Sequence, residues 1–162
     1  KGDLSNDKIY IFEAIIDAIS FYQMTGLNNF IILSGLNYRI YQNILKKYPD
    51  KRILIAFDND IAGRKAENEI YIHSGNRPES FDYTAFRKHF GIKTSDFKDI
   101  NDLLKLYELK QGSASVIASL IDGLSDQDRE RFEERAGIME YCGKQNKAEA
   151  EKNALLNLYN EL

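Results

Sequence analysis

Hydrophobic residues follow two alternating patterns along the first half of the chain. Short apolar runs, typical of buried β-strands, occupy residues 8–12, 29–33 and 52–57. Each run precedes a segment with apolar residues at every third or fourth position, and this helical spacing covers residues 14–25, 37–48 and 61–74. Three strand–helix units in series, with continuously apolar strands, predict an α/β fold whose parallel sheet is covered by helices on both faces.

The pattern weakens beyond residue 76. Residues 80–84 are compatible with a fourth strand. Residues 84–98 mix aromatic and basic residues without clear periodicity, so we predict a loop-rich stretch there. Helical spacing returns over residues 99–108, 115–122, 126–142 and 146–161.

Residues 111–115, Gln-Gly-Ser-Ala-Ser, have a linker-like composition. We therefore predict a boundary near residue 110, which separates an α/β domain of residues 1–110 from a small C-terminal helical appendage of residues 111–162. Within the appendage, Ser125 is a predicted N-cap and Gly143 a predicted C-cap.

Composition narrows the chemistry that the chain can perform. The 162 residues are 43% hydrophobic, which excludes a disordered tail, and the single cysteine, Cys142, excludes an internal disulfide and a cysteine-rich zinc site. With only two histidines, His73 and His89, we expect any bound metal to be a hard cation held by oxygen atoms.

Charge and hydropathy indicate the partners and the location. The net charge is −3, but residues 1–105 carry 15 basic against 14 acidic residues, which leaves room for a basic surface that meets nucleic acid. No apolar run is long enough to span a membrane and no secretion signal is evident, so we expect a cytoplasmic protein without a membrane partner. Because the chain opens with Lys1-Gly2 rather than Met, we expect it to be a segment of a longer protein.

Three acidic residues follow predicted strands. Glu13 comes directly after the first strand, and Asp58 and Asp60 come after the third. Ligands of open parallel sheets bind at the carboxyl ends of the strands, and in the common 2-1-3 strand order these acids would lie close together. Two carboxylates in an extended i, i+2 arrangement are about 6.6 Å apart at Cα and can bind Mg²⁺, while repulsion among three favours a bound cation. The alternative is that Asp58-Asn-Asp60 forms a turn and a helix N-cap.

Longer strings around these acids resemble the signature of the TOPRIM domain, which primases, topoisomerases, some nucleases and recombination proteins share. The strings are Phe12-Glu-Ala-Ile-Ile-Asp-Ala-Ile-Ser20 and Ile55-Ala-Phe-Asp-Asn-Asp-Ile-Ala-Gly-Arg-Lys-Ala66, and Lys98-Asp-Ile-Asn-Asp102 resembles an element of primase-type members. The resemblance is strongest to primase-like and mobilisation proteins of plasmids and conjugative elements. It implies a Rossmann-like TOPRIM fold.

The resemblance also implies roles for individual residues. Glu13 is the catalytic acid or base and a metal ligand, together with the metal ligands Asp58 and Asp60. The candidate supporting residues are Asp17, Lys98, Asp99, Asn101 and Asp102. The segment from Lys98 would bring a cation that faces phosphate, and further carboxylates, to the rim of the site. Alternatively, Asp17 is a solvated or capping acid, and the segment from Lys98 is a helix start with acids in its first turn.

Basic residues provide candidate contacts to phosphate or nucleic acid. Arg64 and Lys65 lie in the first turn of the helix after the acidic pair. Arg87, Lys88 and Lys93 are interleaved with aromatic residues, a composition that suits a nucleic-acid backbone with stacked bases. Alternatively, Arg64 and Lys65 belong to an ordinary solvated helix surface, and core aromatics beside a solvated basic edge would give the pattern of the second group.

The resemblance implies a DNA primase-type nucleotidyltransferase module of a mobile element, active in DNA replication. Its cofactor would be Mg²⁺, with Mn²⁺ as a substitute, and its partners would be single-stranded DNA, nucleotides and the remaining domains of the parent protein. We expect the isolated segment to be inactive. Two alternatives stay open, namely a metal-dependent nuclease or nicking domain and a non-catalytic scaffold that binds metal and nucleic acid.

Overall fold

The computed structural model describes residues 4–33, 38–75 and 77–161. Within these residues the chain forms four strands and eight helices. The strands are β1 (Lys8–Phe12), β2 (Phe30–Ile32), β3 (Arg52–Ala56) and β4 (Glu79–Ser80). The helices are α1 (Ile15–Thr25), α2 (Tyr38–Lys47), α3 (Ile61–Ser74), α4 (Tyr83–His89), α5 (Ile100–Gln111), α6 (Ala114–Asp122), α7 (Asp126–Tyr141) and α8 (Lys147–Glu161).

The strands form one parallel sheet in the order β2-β1-β3-β4. This confirms the predicted parallel α/β fold and the 2-1-3 order. Strands β1 and β3 pair along their whole length, from Lys8 opposite Arg52 to Phe12 opposite Ala56. Because the two strands end in register, the residues that follow them emerge at the same edge of the sheet.

The sheet is buried on both faces, which explains its continuously apolar strands. On one face Ile9, Ile11, Ile53 and Ile55 belong to a core with residues of α2 and α3. On the other face Phe21 of α1 packs against neighbouring rings, with centroids 4.6 Å from that of Tyr10 and 5.4 Å from that of Phe12.

The chain divides into two compact units. One comprises Lys1–Ala85 and Lys98–Leu104, and the other comprises Phe86–Phe97 and Lys105–Leu162. The second unit has its own helical core, which contains Leu109, Ile117, Phe132, Ala154 and Leu155. The predicted linker is a tight turn in which Gly112 has φ +84° and Ser113 precedes α6. An independently folding appendage beyond residue 110 stays a prediction.

Some predicted elements differ from the structure. The loop predicted over residues 84–98 is wrong for its first part, which is α4; the Asp82 carboxylate accepts a hydrogen bond from Ala85 N and starts this helix. The fourth strand is only Glu79–Ser80, and α7 ends with Cys142 rather than Gly143 as its C-cap.

The predicted N-cap Ser125 is confirmed, since its hydroxyl accepts a hydrogen bond from Asp128 N. Residue 37, the predicted start of α2, lies outside the described residues.

Membrane insertion has no candidate segment in the described ranges. No helix there combines the length and the apolar character that crossing a bilayer requires.

Candidate functional site

The candidate site lies at the carboxyl edge of the sheet, where β1 and β3 end. Glu13 directly follows β1, and β3 continues through the buried Phe57 to Asp58. Asp60 is the N-cap of α3, with extended backbone. The sheet register therefore brings the ends of two neighbouring strands and the start of one helix to the same place.

Asp60 fulfils the predicted capping role and leaves an oxygen available to a cation. Its Oδ1 accepts a hydrogen bond from Gly63 N at 2.9 Å, and its main-chain oxygen accepts one from Arg64 N. The hydrogen bond from Gly63, followed by smaller contributions from Ala62 N and nearby cations, lowers the pKa of Asp60. The carboxylate thus stays ionised, and its Oδ2 lies 4.0 Å from the ammonium of Lys98.

Lys98 is the cation that faces both aspartates. Its Nζ lies 2.9 Å from Asp58 Oδ2, and the hydrogen bond to Asp58 raises the pKa of Lys98, so the ammonium stays charged. The sequence predicted a cation directed at phosphate in this position. In the structure the ammonium faces the carboxylates instead, and the side chain remains 56% exposed.

Glu13 lies within electrostatic reach of both aspartates. Burial raises its pKa first, the charge of Asp58 raises it further, Lys98 opposes the increase, and Asp60 adds to it. However, among residues 4–33, 38–75 and 77–161 no three His, Cys, Asp or Glu side chains are grouped to hold a metal ion. The predicted three-carboxylate metal centre therefore stays a prediction.

The donor chemistry of the site nevertheless suits a hard cation. Carboxylate oxygens are the ligands that Mg²⁺ and Mn²⁺ prefer. The Lys98 ammonium acts as a stand-in ion, because it contacts Asp58 Oδ2 at 2.9 Å and lies 4.0 Å from Asp60 Oδ2. The two aspartates can thus direct oxygens at one positive charge without giving up the cap of α3.

The residues after Lys98 fix its backbone. The Asp102 carboxylate accepts a hydrogen bond from Lys98 N, and Asn59 N donates to the Lys98 carbonyl. Asp99 starts α5, since its Oδ1 accepts from Asp102 N at 2.8 Å. Asp99 and Asp102 therefore perform the structural role of a helix start, as the alternative interpretation of this segment proposed, and they also hold Lys98 opposite Asp58.

Asp17 and Asn101 connect α1 to the start of α5. Asp17 is only 5% exposed, and its Oδ1 accepts from Asn101 N at 3.4 Å. The buried Ser20 hydroxyl donates to the Asn101 side-chain oxygen. Burial, followed by the charge of Asp99, raises the pKa of Asp17 to about 6. Asp17 is thus a buried residue rather than a solvated one, and it helps to position the start of α5, the helix that follows Lys98.

The raised pKa of Asp17 predicts a pH dependence of stability. Between its usual pKa of 3.8 and its folded-state pKa of about 6, the folded protein retains a proton that the unfolded chain has lost. The free energy of unfolding should therefore decrease by up to about 3 kcal/mol as the pH rises through this window, and level off above it. Asp17→Asn should remove this contribution and leave that of Glu13, whose pKa is also raised, as measured by urea denaturation at several pH values.

The exposed residue Asp50 provides the matched control. Asp50→Asn should keep the pH dependence of the wild type. An Asp17→Asn variant with the wild-type dependence would show that ionisation of another group causes it.

Two contributors to the site escaped the sequence reasoning. The hydroxyl of Tyr83 donates to the main-chain oxygen of Phe57 at 2.8 Å, and burial raises the pKa of Tyr83, so the phenol stays protonated. Gly63 is needed because a Cβ there would overlap the carbonyl oxygen of Asp58. Both residues fix the backbone next to Asp58. The glycine within Ala62-Gly-Arg64 was an available signal, whereas no local pattern identified Tyr83.

The basic candidates of the first unit lie on α3. Arg64 and Lys65 are exposed in its first turn, and the charge of Arg64 contributes to the lowered pKa of Asp60. Arg64 also lines an open cavity of about 310 Å³, to which Tyr71 and Arg77 contribute. Arg64 is thus within electrostatic reach of Asp60.

The basic candidates of the second unit have a different setting. The Arg87 guanidinium donates to the carbonyls of Ile92 and Lys93, which closes the turn after α4. Phe90 packs against Phe86 and Tyr107, with ring centroids 5.0 and 5.3 Å apart. Phe90 meets the other two rings at tilted and edge-on angles, and all three rings are partly buried. Lys88 and Lys93 are exposed, and their contact with nucleic acid stays a prediction.

Comparison with known proteins identifies a family. A family model described as Toprim-like matches residues 10–104, which is more than half of the chain and includes all the acidic residues of the site. The match supports a function related to nucleic acids and to divalent metal ions. The comparison with curated proteins found no match.

Proposed function

The chain belongs to the Toprim-like family, and from this premise we propose that it is the TOPRIM module of a DNA primase-like protein from a mobile element. In this proposal the acidic site binds Mg²⁺ for nucleotidyl transfer on nucleic acid in the cytoplasm. The observation that supports it is the meeting of Asp58, Asp60 and Lys98 at the carboxyl edge of the sheet, where two strand ends and a helix start supply hard oxygen ligands.

Glu13, Asp58 and Asp60 would hold the metal ion. When bound, the ion neutralises charge on the phosphates of a nucleotide. Glu13 follows the central strand and lies within reach of the aspartate charges, and in this proposal it would accept or release the proton of a reacting hydroxyl. Arg64 and Lys65, exposed in the first turn of α3, would bind phosphate oxygens at the same edge.

The partners follow from this chemistry. The substrates would be single-stranded DNA and nucleoside triphosphates, and the remaining domains of a longer parent protein would supply further contacts to the template. For this reason the test measures binding rather than nucleotidyl transfer.

The test uses the chain itself, with Mn²⁺ binding measured by calorimetry and the binding of nucleoside triphosphate and labelled single-stranded DNA measured with and without the metal. We expect metal binding, and nucleotide binding that depends on it. Glu13→Gln should weaken metal binding by at least about tenfold. Loss of a residue that only hydrogen-bonds to a metal ligand already lowers metal affinity by about that factor, and loss of a ligand should lower it at least as much. Glu133→Gln, at an exposed position of α7, should behave as the wild type.

Other outcomes distinguish the remaining functions. Metal-dependent cleavage of the labelled DNA, lost in Glu13→Gln, would favour a nuclease. Binding of metal and DNA without nucleotide binding or cleavage would favour a scaffold. The absence of metal binding would contradict the proposal.

A further inference from the structure

The ammonium of Lys98 neutralises part of the negative charge of the acidic site. Its Nζ lies 2.9 Å from Asp58 Oδ2, within charge-assisted hydrogen-bond distance, and 4.0 Å from Asp60 Oδ2. A divalent ion bound by the same two oxygens would be close to this ammonium, and like charges at such distances repel. Lys98 therefore influences how many cations the site accepts and how tightly it binds them.

The backbone of Lys98 is fixed at the site, while its side chain is 56% exposed. Its backbone nitrogen donates to the Asp102 carboxylate, and its carbonyl accepts from Asn59 N, which lies between the two aspartates in the sequence. Asp99 caps the helix that follows. These bonds hold the Lys98 backbone beside the Asp58–Asp60 turn whatever its side chain binds, so the ammonium remains within reach when another cation arrives.

The formal charges of the site suit one divalent ion. Glu13, Asp58 and Asp60 carry three negative charges when ionised, and Lys98 carries one positive charge. The remaining two negative charges are balanced by one divalent cation. The charge of Asp99 also acts on Lys98, so a second divalent cation is disfavoured chiefly by its repulsion from the ammonium.

We propose that Lys98 takes the place of a second metal ion, so that the site binds a single divalent cation with an affinity that Lys98 limits. This inference rests on the proposed function, because it requires that the carboxylates bind a metal. When the ion engages Asp58, the Lys98 ammonium remains beside it as a second positive charge that can contact a phosphate oxygen of the substrate. Lys98 thus determines how many metal ions the site binds.

The test compares Lys98→Met, which keeps most of the length of the side chain and removes its charge, with Lys98→Arg, which keeps the charge. Lys46→Met, at an exposed position in the last turn of α2, is the control for removing one positive charge from the first unit. Calorimetry and electron paramagnetic resonance count bound Mn²⁺ and measure its affinity at physiological ionic strength, where distant charges are screened. Thermal melts establish that each variant is folded.

We expect the wild type, Lys98→Arg and Lys46→Met to bind one Mn²⁺ per chain with similar affinity. Lys98→Met should bind its first ion at least about tenfold more tightly, because removing a neighbouring like charge has effects of that size on cation binding. Two ions bound to the wild type, an unchanged or weaker affinity in Lys98→Met, or the same increase in Lys46→Met would overturn the inference while leaving the metal site intact. No metal binding by any of these proteins would overturn the proposed function as well.

Discussion

Replacing Asp58 and Asp60 together with asparagine should abolish the stabilisation that divalent cations give to the protein. A ligand at a hundred times its dissociation constant stabilises the folded state by about 2.7 kcal/mol. For a chain of this size, this corresponds to an increase in melting temperature of about 5–10 °C. We expect this increase in the wild type with Mg²⁺ or Mn²⁺ relative to chelator. We expect none in the double variant, because Asp60, which caps α3, and Asp58, which pairs with Lys98, both lose their negative charge.

Without metal, the double variant should be nearly as stable as the wild type. Asparagine caps helices about as well as aspartate, so the bond from Gly63 N to residue 60 can persist. Loss of the partially exposed pair between Lys98 and Asp58 costs about 1 kcal/mol or less, and relief of the repulsion with Glu13 opposes this cost.

The matched control removes two acidic charges elsewhere in the same unit. Asp7→Asn with Asp50→Asn, both at exposed positions, should retain the response to metal. A wild-type melting temperature that does not change in millimolar Mg²⁺ or Mn²⁺ would contradict metal binding by this chain. It would favour the scaffold function instead.

The central sheet was predictable because its signal is local. Strands β1 and β3 are continuously apolar since both faces of the sheet are buried, and each is followed by a helix with regular spacing. Strand β4 carried no such signal, because its two residues are exposed and the strand is defined by backbone pairing with Leu54 and Ile55. Helix α4 escaped for a related reason, as it is short and buries none of its residues.

One part of the candidate site was predictable, namely the residues that follow strands ending at the same edge of the sheet. The positions of Glu13 and Asp58 follow from the strands that precede them and from the common strand order. The pairing of Lys98 with Asp58 was not predictable, because it joins residues that lie 40 positions apart and depends on how α5 begins. The burial of Asp17 likewise depends on tertiary packing, which a helical spacing does not reveal.

Gly63→Ala should destabilise the protein by about 3 kcal/mol and weaken metal binding at the same time. A Cβ at residue 63 would overlap the carbonyl oxygen of Asp58 and would lie 3.0 Å from its carbonyl carbon and 3.1 Å from its nitrogen. Because these are backbone atoms, no side chain can turn away to make room, and the start of α3 must move from the end of β3. The same movement would displace Asp58 and strain the bond from Gly63 N to Asp60.

Gly137→Ala is the matched control for this substitution. Gly137 lies within α7, and a Cβ there would meet no heavy atom within 4 Å, so alanine should stabilise the protein by about 0.5–1 kcal/mol through its higher helix propensity. Urea denaturation and Mn²⁺ titration of both variants separate the two effects. A Gly63→Ala variant as stable as the wild type would show that α3 can move away from Asp58 at little cost. In that event, retained metal affinity would show that the site tolerates the movement, and lost affinity would show that the close contact positions Asp58 for the metal.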